Sequence, residues 1–228
     1  MYKVIFDSIT STQDEIIGFN NYKKILENNN LYIQSFRQMK GTGRGQKKWL
    51  SPKGNIYLTI NQKLKASYAL INNFYICYII HKFFRINYNI ILDYKWPNDL
   101  FFKNKKIVGV VVKSTILGNR SYLKTGIGIN INNSPIVGSI SLFSIIGKKS
   151  IILDLSNNII DFIEYNLIKK ISNQKLVRYL NKNMLKNFNL NHPIFGKNII
   201  EILKVNDDLS LKIKIDNATK NIFFGELV

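Results

Sequence analysis

Residues 95–109 read KWPNDLFFKNKKIVG, a stretch that combines a proline, a group of polar residues and two apolar runs. Residues 89–94, just before it, are rich in strand-forming residues, and Pro97 interrupts that strand because proline cannot donate to a ladder. Two apolar runs follow, residues 100–102 and 107–116, on either side of a short Lys-Asn-Lys-Lys turn. This pattern predicts a β-hairpin.

The polar residues at the start of the same stretch indicate a functional site. Lys95, Trp96, Asn98 and Asp99 stand together at the predicted end of a strand, and no common packing role accounts for that combination. An alternative is that Trp96 fills the core and that Asn98 and Asp99 form a turn. Both interpretations are open at this point.

Strands and helices mix on both sides of the hairpin. Further strands are predicted at residues 2–6, 31–36, 55–62 and 121–132, and helices at residues 11–26, 67–85 and 153–185. Residues 55–62 alternate isoleucine and leucine with Tyr57 and Thr59, the period of a half-buried strand. We expect an α+β fold with a mixed, mainly antiparallel sheet.

The pattern changes near residue 190. Three short strands are predicted at residues 198–205, 210–215 and 221–228, joined by turns rich in asparagine and aspartate. We predict two domains, a larger one at residues 1–190 and a small β-barrel-like one at residues 191–228.

A glycine-rich loop lies upstream, where residues 38–52 read QMKGTGRGQKKWLSP. Alternate glycines at 41, 43 and 45 let the backbone approach a ligand closely and direct its amides at it. Arg44 adds a planar cation suited to a carboxylate or phosphate. The loop lacks the Lys-Ser/Thr ending of a P-loop. A flexible basic surface loop is the alternative reading.

A third segment, residues 126–132, reads GIGININ. Two glycines weaken a strand unless another backbone or a ligand must come close. The segment therefore joins the list of candidate sites.

In order and spacing these segments resemble the catalytic domain of the biotin–protein ligases. The resemblance covers residues 6–132 and rests on Gln-x-x-Gly-x-Gly-Arg at residues 38–44, Trp-x-Ser-Pro-x-Gly at 49–54, Lys-Trp-Pro-Asn-Asp at 95–99, and Gly-Ile-Gly-x-Asn at 126–130. It extends to Lys106 before Gly109 and to Ser11-Thr12-Gln13. It implies a class II synthetase-like catalytic domain and a small SH3-like β-barrel at the C-terminus.

The resemblance also implies the chemistry. Biotin is activated with ATP and Mg²⁺ to biotinyl-5'-AMP and then transferred to a lysine of a biotin carboxyl carrier protein, that of acetyl-CoA carboxylase being the expected one. Lys106 and Arg44 are the expected catalytic residues. The expected biotin-binding residues are Ser11, Thr12, Gln13, Gln38, Thr42, Gly43, Arg44, Lys106 and Gly109. The expected nucleotide-binding residues are Gly41, Gly43, Arg44, Trp49, Asn98, Asp99 and Asn130.

Three positions depart from the family pattern. Thr42 stands where many relatives have arginine or lysine, Gln13 replaces asparagine, and Lys113 replaces an acidic residue. None removes Lys106 or Arg44, so we expect activity. The pattern leaves the metal ligands unknown, and His81 and His192 are expected to be structural.

Composition bounds the remaining possibilities. Of 228 residues, 33 are Lys or Arg and 14 are Asp or Glu, a formal charge of +19, spread along the chain as compositional drift would spread it. No apolar run long enough for a membrane span, no secretory signal and a single cysteine, Cys77, favour a cytoplasmic protein. Because the first motif begins at Ser11, we expect no N-terminal helix-turn-helix and no specific DNA binding.

Three other functions stay open on the sequence alone. One is a lipoate–protein ligase or octanoyltransferase of the same superfamily. Another is a non-catalytic nucleic-acid-binding protein, suggested by the charge. The third is an inactive relative that binds biotin or the carrier. The sequence allows either a monomer or a homodimer.

Overall fold

A seven-stranded sheet forms the centre of the computed structural model, which describes residues 1–14, 24–186, 201–215 and 218–223. The strands lie in the order β1-β2-β3-β7-β6-β5-β4, and only the β1–β2 pair is parallel. Their bounds are β1 Tyr2–Phe6, β2 Leu31–Ser35, β3 Ile56–Lys65, β4 Asp93–Lys95, β5 Asp99–Phe102, β6 Lys105–Leu117 and β7 Arg120–Ile129. The predicted α+β class with a mainly antiparallel sheet is confirmed.

The hairpin of β5 and β6 forms as the sequence predicts. Lys103 and Asn104 both take positive φ, 48° and 62°, which is the backbone of a tight hairpin turn. The β5–β6 register shifts between Leu100 and Phe101, and the pairing continues to Asp99 opposite Gly109. The turn and this register bring the start of β5 beside the glycine of β6.

Strand β3 is buried on both faces, so the half-buried strand expected at residues 55–62 is wrong in that respect. Ile56, Leu58 and Ile60 pack into the main core, and Tyr57 and Thr59 on the other face are at most 1% exposed. The second face is covered because loops of the candidate site lie on it. Alternation by itself does not reveal a cover supplied by distant loops.

Helix α1, Ala69–Tyr88, packs on the core face of the sheet. It ends at Asn89, whose φ is 55° and whose amide donates to the Arg85 carbonyl. The strand expected at residues 89–94 is therefore only β4, because the helix runs to Tyr88 and its cap uses the backbone of the first of these residues.

The long helix expected at residues 153–185 is two helices. A short helix α2, Leu142–Ile146, comes first, followed by α3, Ile152–Ile168, and α4, Asn173–Lys182. The break occurs at Ser172, whose hydroxyl accepts the Lys175 amide as an N-cap. Both helices bury one apolar face, so the overall pattern hides the boundary.

A separate three-stranded antiparallel sheet follows, with β8 Glu201–Val205, β9 Leu211–Ile215 and β10 Ala218–Ile222. It joins the main core, where the Trp96 indole donates to the Leu209 carbonyl at 3.2 Å. Strand β10 begins three residues before the predicted residue 221. The expected turn at Asp216 and Asn217, the residues from 224 onward and the expected domain boundary near residue 190 lie outside the described residues.

Two further expectations concern the N-terminal helix and membranes. Most of the helix predicted at residues 11–26 lies outside the described residues, and residues 24–26 at its end are helical. Within the described ranges no helix is both long and apolar enough to cross a membrane.

Candidate active site

A cavity of about 350 Å³ opens on the face of β6 and β7 that is turned away from α1. Its floor is set by Gly109 and Val111 of β6 and by Gly126 and Gly128 of β7, which pair with them. The sequence-predicted residues that line it are Ser11, Thr12, Gln13, Gln38, Thr42, Gly43, Arg44, Trp49, Asn98, Asp99, Lys106 and Gly109. Segments far apart in sequence therefore meet at one point.

Two predicted residues, Gly41 and Asn130, do not line the cavity. A Cβ on Gly41 would lie 2.5 Å from the Trp49 carbonyl oxygen, so this position needs glycine for loop closure. Asn130 is engaged with the backbone of β6. Its amide donates to the Ile107 carbonyl, and its side chain donates to the Lys106 carbonyl at 3.4 Å. Both residues hold the backbone that carries the cavity residues.

The glycine-rich loop closes as a small hairpin over the sheet. The Trp49 amide donates to the Gly41 carbonyl at 2.8 Å, and the Gly43 amide donates to the Lys47 carbonyl at 2.6 Å. Gly45 at the tip takes φ 60°, a conformation that favours glycine. The loop thereby presents Arg44 and Lys47 to the cavity.

Trp49 lies directly on the two central glycines of the sheet. A Cβ on Gly109 would be 2.7 Å from its ring, and one on Gly128 would be 2.5 Å from it. Gly109, an expected biotin-binding residue, lines the cavity, and the space directly above it holds the indole. The Lys106 ammonium sits over the same ring at 4.9 Å from its centroid.

Cations dominate the electrostatics of the cavity. Asp99 is the one acidic residue in its described lining, against Arg44, Lys47, Lys48, Lys95 and Lys106. The Lys106 Nζ and Asp99 Oδ2 atoms are 2.8 Å apart. Such an excess of positive charge inside a partly desolvated cavity is suited to a polyanionic ligand.

Three of these cations, Arg44, Lys95 and Lys106, are partly buried, and burial shifts the pKa of the first two. Burial lowers the pKa of Lys95, and the neighbouring Lys106 and Lys47 add to the shift while Asp99 opposes it. Burial likewise lowers the pKa of Arg44, against the attraction of Asp99. Both groups stay cationic near neutral pH because their ordinary pKa values are so high. Their charges therefore act in a poorly solvated environment, where electrostatic attraction is strong.

The Lys-Trp-Pro-Asn-Asp turn is fixed from several sides. The Pro97 carbonyl accepts from Asn73 Nδ2 at 2.7 Å and from the Tyr94 hydroxyl at 2.6 Å. The Asn98 side chain donates to the Val110 carbonyl at 2.8 Å. Trp96 is a core residue, as its alternative reading held, and it also lines the cavity.

The segment Ser11-Thr12-Gln13 is held against both the sheet and the glycine-rich loop. Thr12 donates from its amide and its hydroxyl to Gln38 Oε1, at 2.8 and 3.0 Å. Gln13 Nε2 donates to the Val111 carbonyl at 3.0 Å. Because that carbonyl can only accept, Gln13 Oε1 must point the other way. The Ser11 hydroxyl accepts from the Gln13 amide, and it donates no hydrogen bond to another described residue.

Buried polar atoms without a partner concentrate at this cavity. Seven such side-chain atoms occur in the described part of the chain, and four belong to cavity residues: Gln13 Oε1, Thr42 Oγ1, Trp49 Nε1 and Asp99 Oδ1. An unsatisfied buried polar group costs about 1–3 kcal/mol. Their convergence on one cavity indicates a ligand that supplies both donors and acceptors.

Ten lining residues carried no individual role in the sequence-based expectations, although some of them belong to the candidate segments: Lys47, Lys48, Lys95, Trp96, Pro97, Val111, Gly126, Ile127, Gly128 and Ile136. Most stand inside the three quoted motifs, so their motif membership was the available signal. Nothing in the sequence marks Val111 or Ile136. Lys113, one of the departures from the family pattern, lies outside the cavity, 3.5 Å from Asp14.

No histidine is among the described residues that line the cavity. No group of three or more histidine, cysteine, aspartate or glutamate side chains that could hold a metal occurs among the described residues. His81 is buried and hydrogen-bonded to the Tyr179 hydroxyl, as expected of a structural histidine. His192 lies outside the described residues.

Comparison with known proteins assigns the family. The profile of the Biotin/lipoate A/B protein ligase family matches residues 5–132, more than half of the 228 residues. This chain belongs to the Biotin/lipoate A/B protein ligase family. The match ends just after the 126–130 motif, so every segment that lines the cavity up to Gly128 lies inside the part of the chain shared with the family.

Individual biotin–protein ligases also match part of this chain. The human biotin–protein ligase is 32% identical over 113 residues, which is 46% of this chain and 16% of the human protein. The bifunctional ligase/repressor BirA of Escherichia coli is 31% identical over 101 residues, 41% of this chain and 30% of that protein. The chain thus spans less than a third of the length of these two relatives.

Solved structures of family members share the fold over nearly the whole chain. The biotin protein ligase of Aquifex aeolicus in complex with biotin and ATP gives a TM-score of 0.75 at 24% identity, covering 99% of this chain and 97% of that one. The enzyme of Leishmania major in complex with biotinyl-5-AMP gives 0.67 at 22% identity, with 97% and 98% covered. The likeness confirms the ligase fold, including the small C-terminal sheet.

Proposed function

We propose that this chain is a biotin–protein ligase, which activates biotin with ATP to biotinyl-5'-AMP and transfers biotin to a lysine of a biotin carboxyl carrier protein. The observation that carries the proposal is the cavity itself. Its lining combines four buried polar atoms that lack a hydrogen-bond partner with five cations around one carboxylate, and we treat the side near Ser11 and Gln13 as one end and the side near these cations as the other. Family membership and the similarity to the human biotin–protein ligase support the same function.

The cationic end suits the first half-reaction. A carboxylate oxygen of biotin attacks the α-phosphorus of ATP, the bond to the β-phosphate oxygen breaks, and pyrophosphate leaves. Two anions must approach each other for this step, so fixed positive charge at the meeting point lowers the barrier. We assign Lys106 and Arg44 as the catalytic residues. Lys106 forms an ion pair with Asp99, and an incoming anion would replace Asp99 as its partner.

The other end suits a ureido ring. Its carbonyl needs a donor, which the Ser11 hydroxyl offers, and its N–H groups need an acceptor, which Gln13 Oε1 offers. Glutamine in place of the usual asparagine is accommodated because Gly126 has no side chain, and a Cβ there would be 2.6 Å from Gln13 Nε2. A lipoyl dithiolane ring has no N–H and would leave Gln13 Oε1 unsatisfied.

The glycine-rich loop has a protective role in this proposal. Biotinyl-5'-AMP is a mixed anhydride that water hydrolyses, so a loop that covers it preserves the intermediate. Thr42, Gly43 and Arg44 of this loop line the cavity. In the second half-reaction the carrier amine attacks the acyl carbon, the acyl–oxygen bond breaks, and AMP leaves. No covalent enzyme intermediate is needed.

Mg²⁺ fits this cavity only in partnership with the nucleotide. Asp99 is the single carboxylate in the described lining, and its Oδ1 atom is buried without a partner. Mg²⁺ in nucleotide sites is commonly held by one or two carboxylates together with phosphate oxygens and water. We propose that Asp99 holds the ion, which would offset the charge of the departing pyrophosphate.

The remaining assignments are proposals of the same kind. We assign the biotin side to Ser11, Thr12, Gln13 and Gln38, and the nucleotide side to Trp49, Asn98 and Asp99, with Gly41 and Asn130 acting through the backbone they hold. Cytoplasmic location is proposed because the single cysteine, Cys77, cannot form an intrachain disulfide and is buried. The carrier domain of acetyl-CoA carboxylase is the proposed acceptor.

Biotin-dependent exchange of pyrophosphate into ATP tests the activation step. We expect exchange with biotin and none with lipoate, and Lys106→Ala should reduce kcat at least a hundredfold because a fixed cation at the developing charge is lost. Lys105→Ala is the matched control, since Lys105 is the exposed neighbour. Exchange that requires lipoate, or that survives Lys106→Ala, would contradict the proposal.

A further inference from the structure

A continuous chain of side-chain hydrogen bonds runs beneath the candidate active site. The Thr59 hydroxyl on β3 donates to the Thr12 hydroxyl at 2.8 Å, and Thr12 donates to Gln38 Oε1 at 3.0 Å. Gln38 Nε2 then donates to the Ser51 hydroxyl at 3.0 Å, and Ser51 donates to the Trp49 carbonyl at 2.9 Å. The chain starts at a central strand and ends at the residue that covers the sheet glycines.

Every donor in this chain points the same way. The Thr12 amide also donates to Gln38 Oε1, so the Gln38 amide group cannot turn over without placing its NH₂ against another donor. That orientation directs Gln38 Nε2 to Ser51, which must donate onward to a carbonyl. The Thr59 hydrogen occupies the accepting side of Thr12, so the Thr12 hydrogen is directed to Gln38.

Of the five residues joined by these hydrogen bonds, Thr59 alone lies on a strand of the central sheet. It is fully buried, it is paired with Ile33 of β2 and Gly126 of β7, and it does not line the cavity. The other members belong to the two loops that carry the cavity residues, around residues 11–13 and 38–51. Thr59 is thus the fixed point to which the side chains of both loops connect.

We propose that Thr59 is a positioning residue for biotin, an inference that rests on the proposed function. The Thr59 hydroxyl fixes Thr12 and, through it, Gln38, and so holds the two loops in a fixed position relative to each other. As a result, Ser11 and Gln13 of one loop and Thr42 of the other face the same ligand. Thr59 touches neither substrate. Loss of its hydroxyl loosens the pocket for biotin and leaves the cations around Lys106 in place.

Thr59→Val removes the hydroxyl at nearly constant shape. We expect the KM for biotin to rise about fivefold, as losing one buried neutral hydrogen bond would produce, with kcat and the KM for ATP changed less than twofold. Thr59→Ser keeps the hydroxyl and should restore the KM. The measurement is biotin-dependent pyrophosphate exchange, with the dissociation constant of biotin from calorimetry beside it.

Thr125→Val is the matched control. Thr125 is equally buried, on β7, and its hydroxyl accepts from Asn72 Nδ2 at 2.9 Å on the opposite, core face of the sheet. It should lower thermal stability as Thr59→Val does and leave the KM for biotin unchanged. An unchanged KM in Thr59→Val, or an equal rise in Thr125→Val, would overturn the positioning role.

A ligand-free measurement separates this inference from the proposed function. Hydrogen–deuterium exchange should quicken in residues 8–14 and 38–51 together in Thr59→Val, return to normal in Thr59→Ser, and stay normal in Thr125→Val. If the wild-type protein neither exchanges pyrophosphate nor binds biotin, the proposed function fails. The pattern of hydrogen–deuterium exchange still decides whether Thr59 holds the two loops in place. Faster exchange in one loop alone, or in neither, would overturn the inference.

Discussion

Trp49 occupies its place because two residues of the sheet lack side chains. The indole ring covers Gly109 and Gly128, which pair across β6 and β7, and the Lys106 ammonium rests over the same ring. A tryptophan thus sets where the proposed catalytic cation lies. Glycine in a strand is otherwise unfavourable, and the close approach of a ring explains its presence at both positions.

Gly128→Ala tests this arrangement at the level of one methyl group. The new Cβ would lie 2.5 Å from the indole, so the ring and Lys106 above it must shift. Overpacking of this kind costs about 1–3 kcal/mol of stability. We expect kcat/KM for biotin-dependent exchange to fall at least tenfold, measured together with the melting temperature.

A second substitution tells a clash with the ring from a general effect on β7. In a Trp49→Leu background the methyl has a smaller and more flexible neighbour. There, Gly128→Ala should cost much less stability than in the wild type, the non-additivity expected of residues in contact. Equal costs in both backgrounds would contradict the explanation.

At the level of elements, the sequence predicted those parts that depend on local chemistry. The hairpin of β5 and β6 forms where a short polar turn separates two apolar runs, and α1 forms where a mostly apolar stretch has helical length. The break between α3 and α4 was missed although Ser172 offers an N-cap signal, because the apolar pattern on both sides outweighed a single residue.

Contacts between distant elements could not be predicted in the same way. Lys106, Asp99 and Arg44, which the motif resemblance groups together, line one cavity. The ion pair of Lys106 with Asp99 depends on the β5–β6 register, which no motif states. The link from Thr59 to Thr12 requires knowing which loop covers β3. Such contacts follow from tertiary packing and not from local propensity.

One contact between helices gives a pH dependence that can be measured. His81 of α1 is hydrogen-bonded to Tyr179 of α4, and burial, with Arg85 nearby, lowers the pKa of His81 from 6.5 to about 4. The unfolded chain binds a proton on this histidine below pH 6.5 that the folded protein does not bind until about pH 4. The free energy of unfolding therefore falls as the pH is lowered through that window, by on the order of 2 kcal/mol.

His81→Gln provides the comparison. Glutamine can accept the Tyr179 hydrogen bond and does not titrate, so the mutant should lose less thermal stability between pH 7 and pH 4.5 than the wild type. Melting temperatures across this range are the measurement. Carboxylates contribute equally to both proteins, so the difference between the two curves isolates the histidine. Curves that run parallel would exclude this role for His81.

At the scale of the whole molecule, most of the formal charge of +19 comes from residues that do not line the described cavity. Only five cationic residues of the 33 lysines and arginines line the described cavity. The rest are spread along the sequence, as drift in composition would distribute them. We propose that such a diffuse positive field raises the rate of encounter with ATP or an acidic carrier, and we expect no specific nucleic-acid site.

This view predicts weak, sequence-independent binding to DNA that disappears with salt. Each phosphate contact releases condensed counterions, so the affinity should fall by orders of magnitude between 50 and 200 mM salt, to dissociation constants of about 1 µM or weaker. Fluorescence anisotropy with two duplexes of unrelated sequence is the measurement. Lys106→Ala should bind DNA as the wild type does while losing pyrophosphate exchange, because one partly buried cation adds little to a diffuse field. Tight binding that selects one duplex and persists at 200 mM salt would instead assign the surplus charge to a DNA site, a second function like that in the name of the Escherichia coli ligase/repressor.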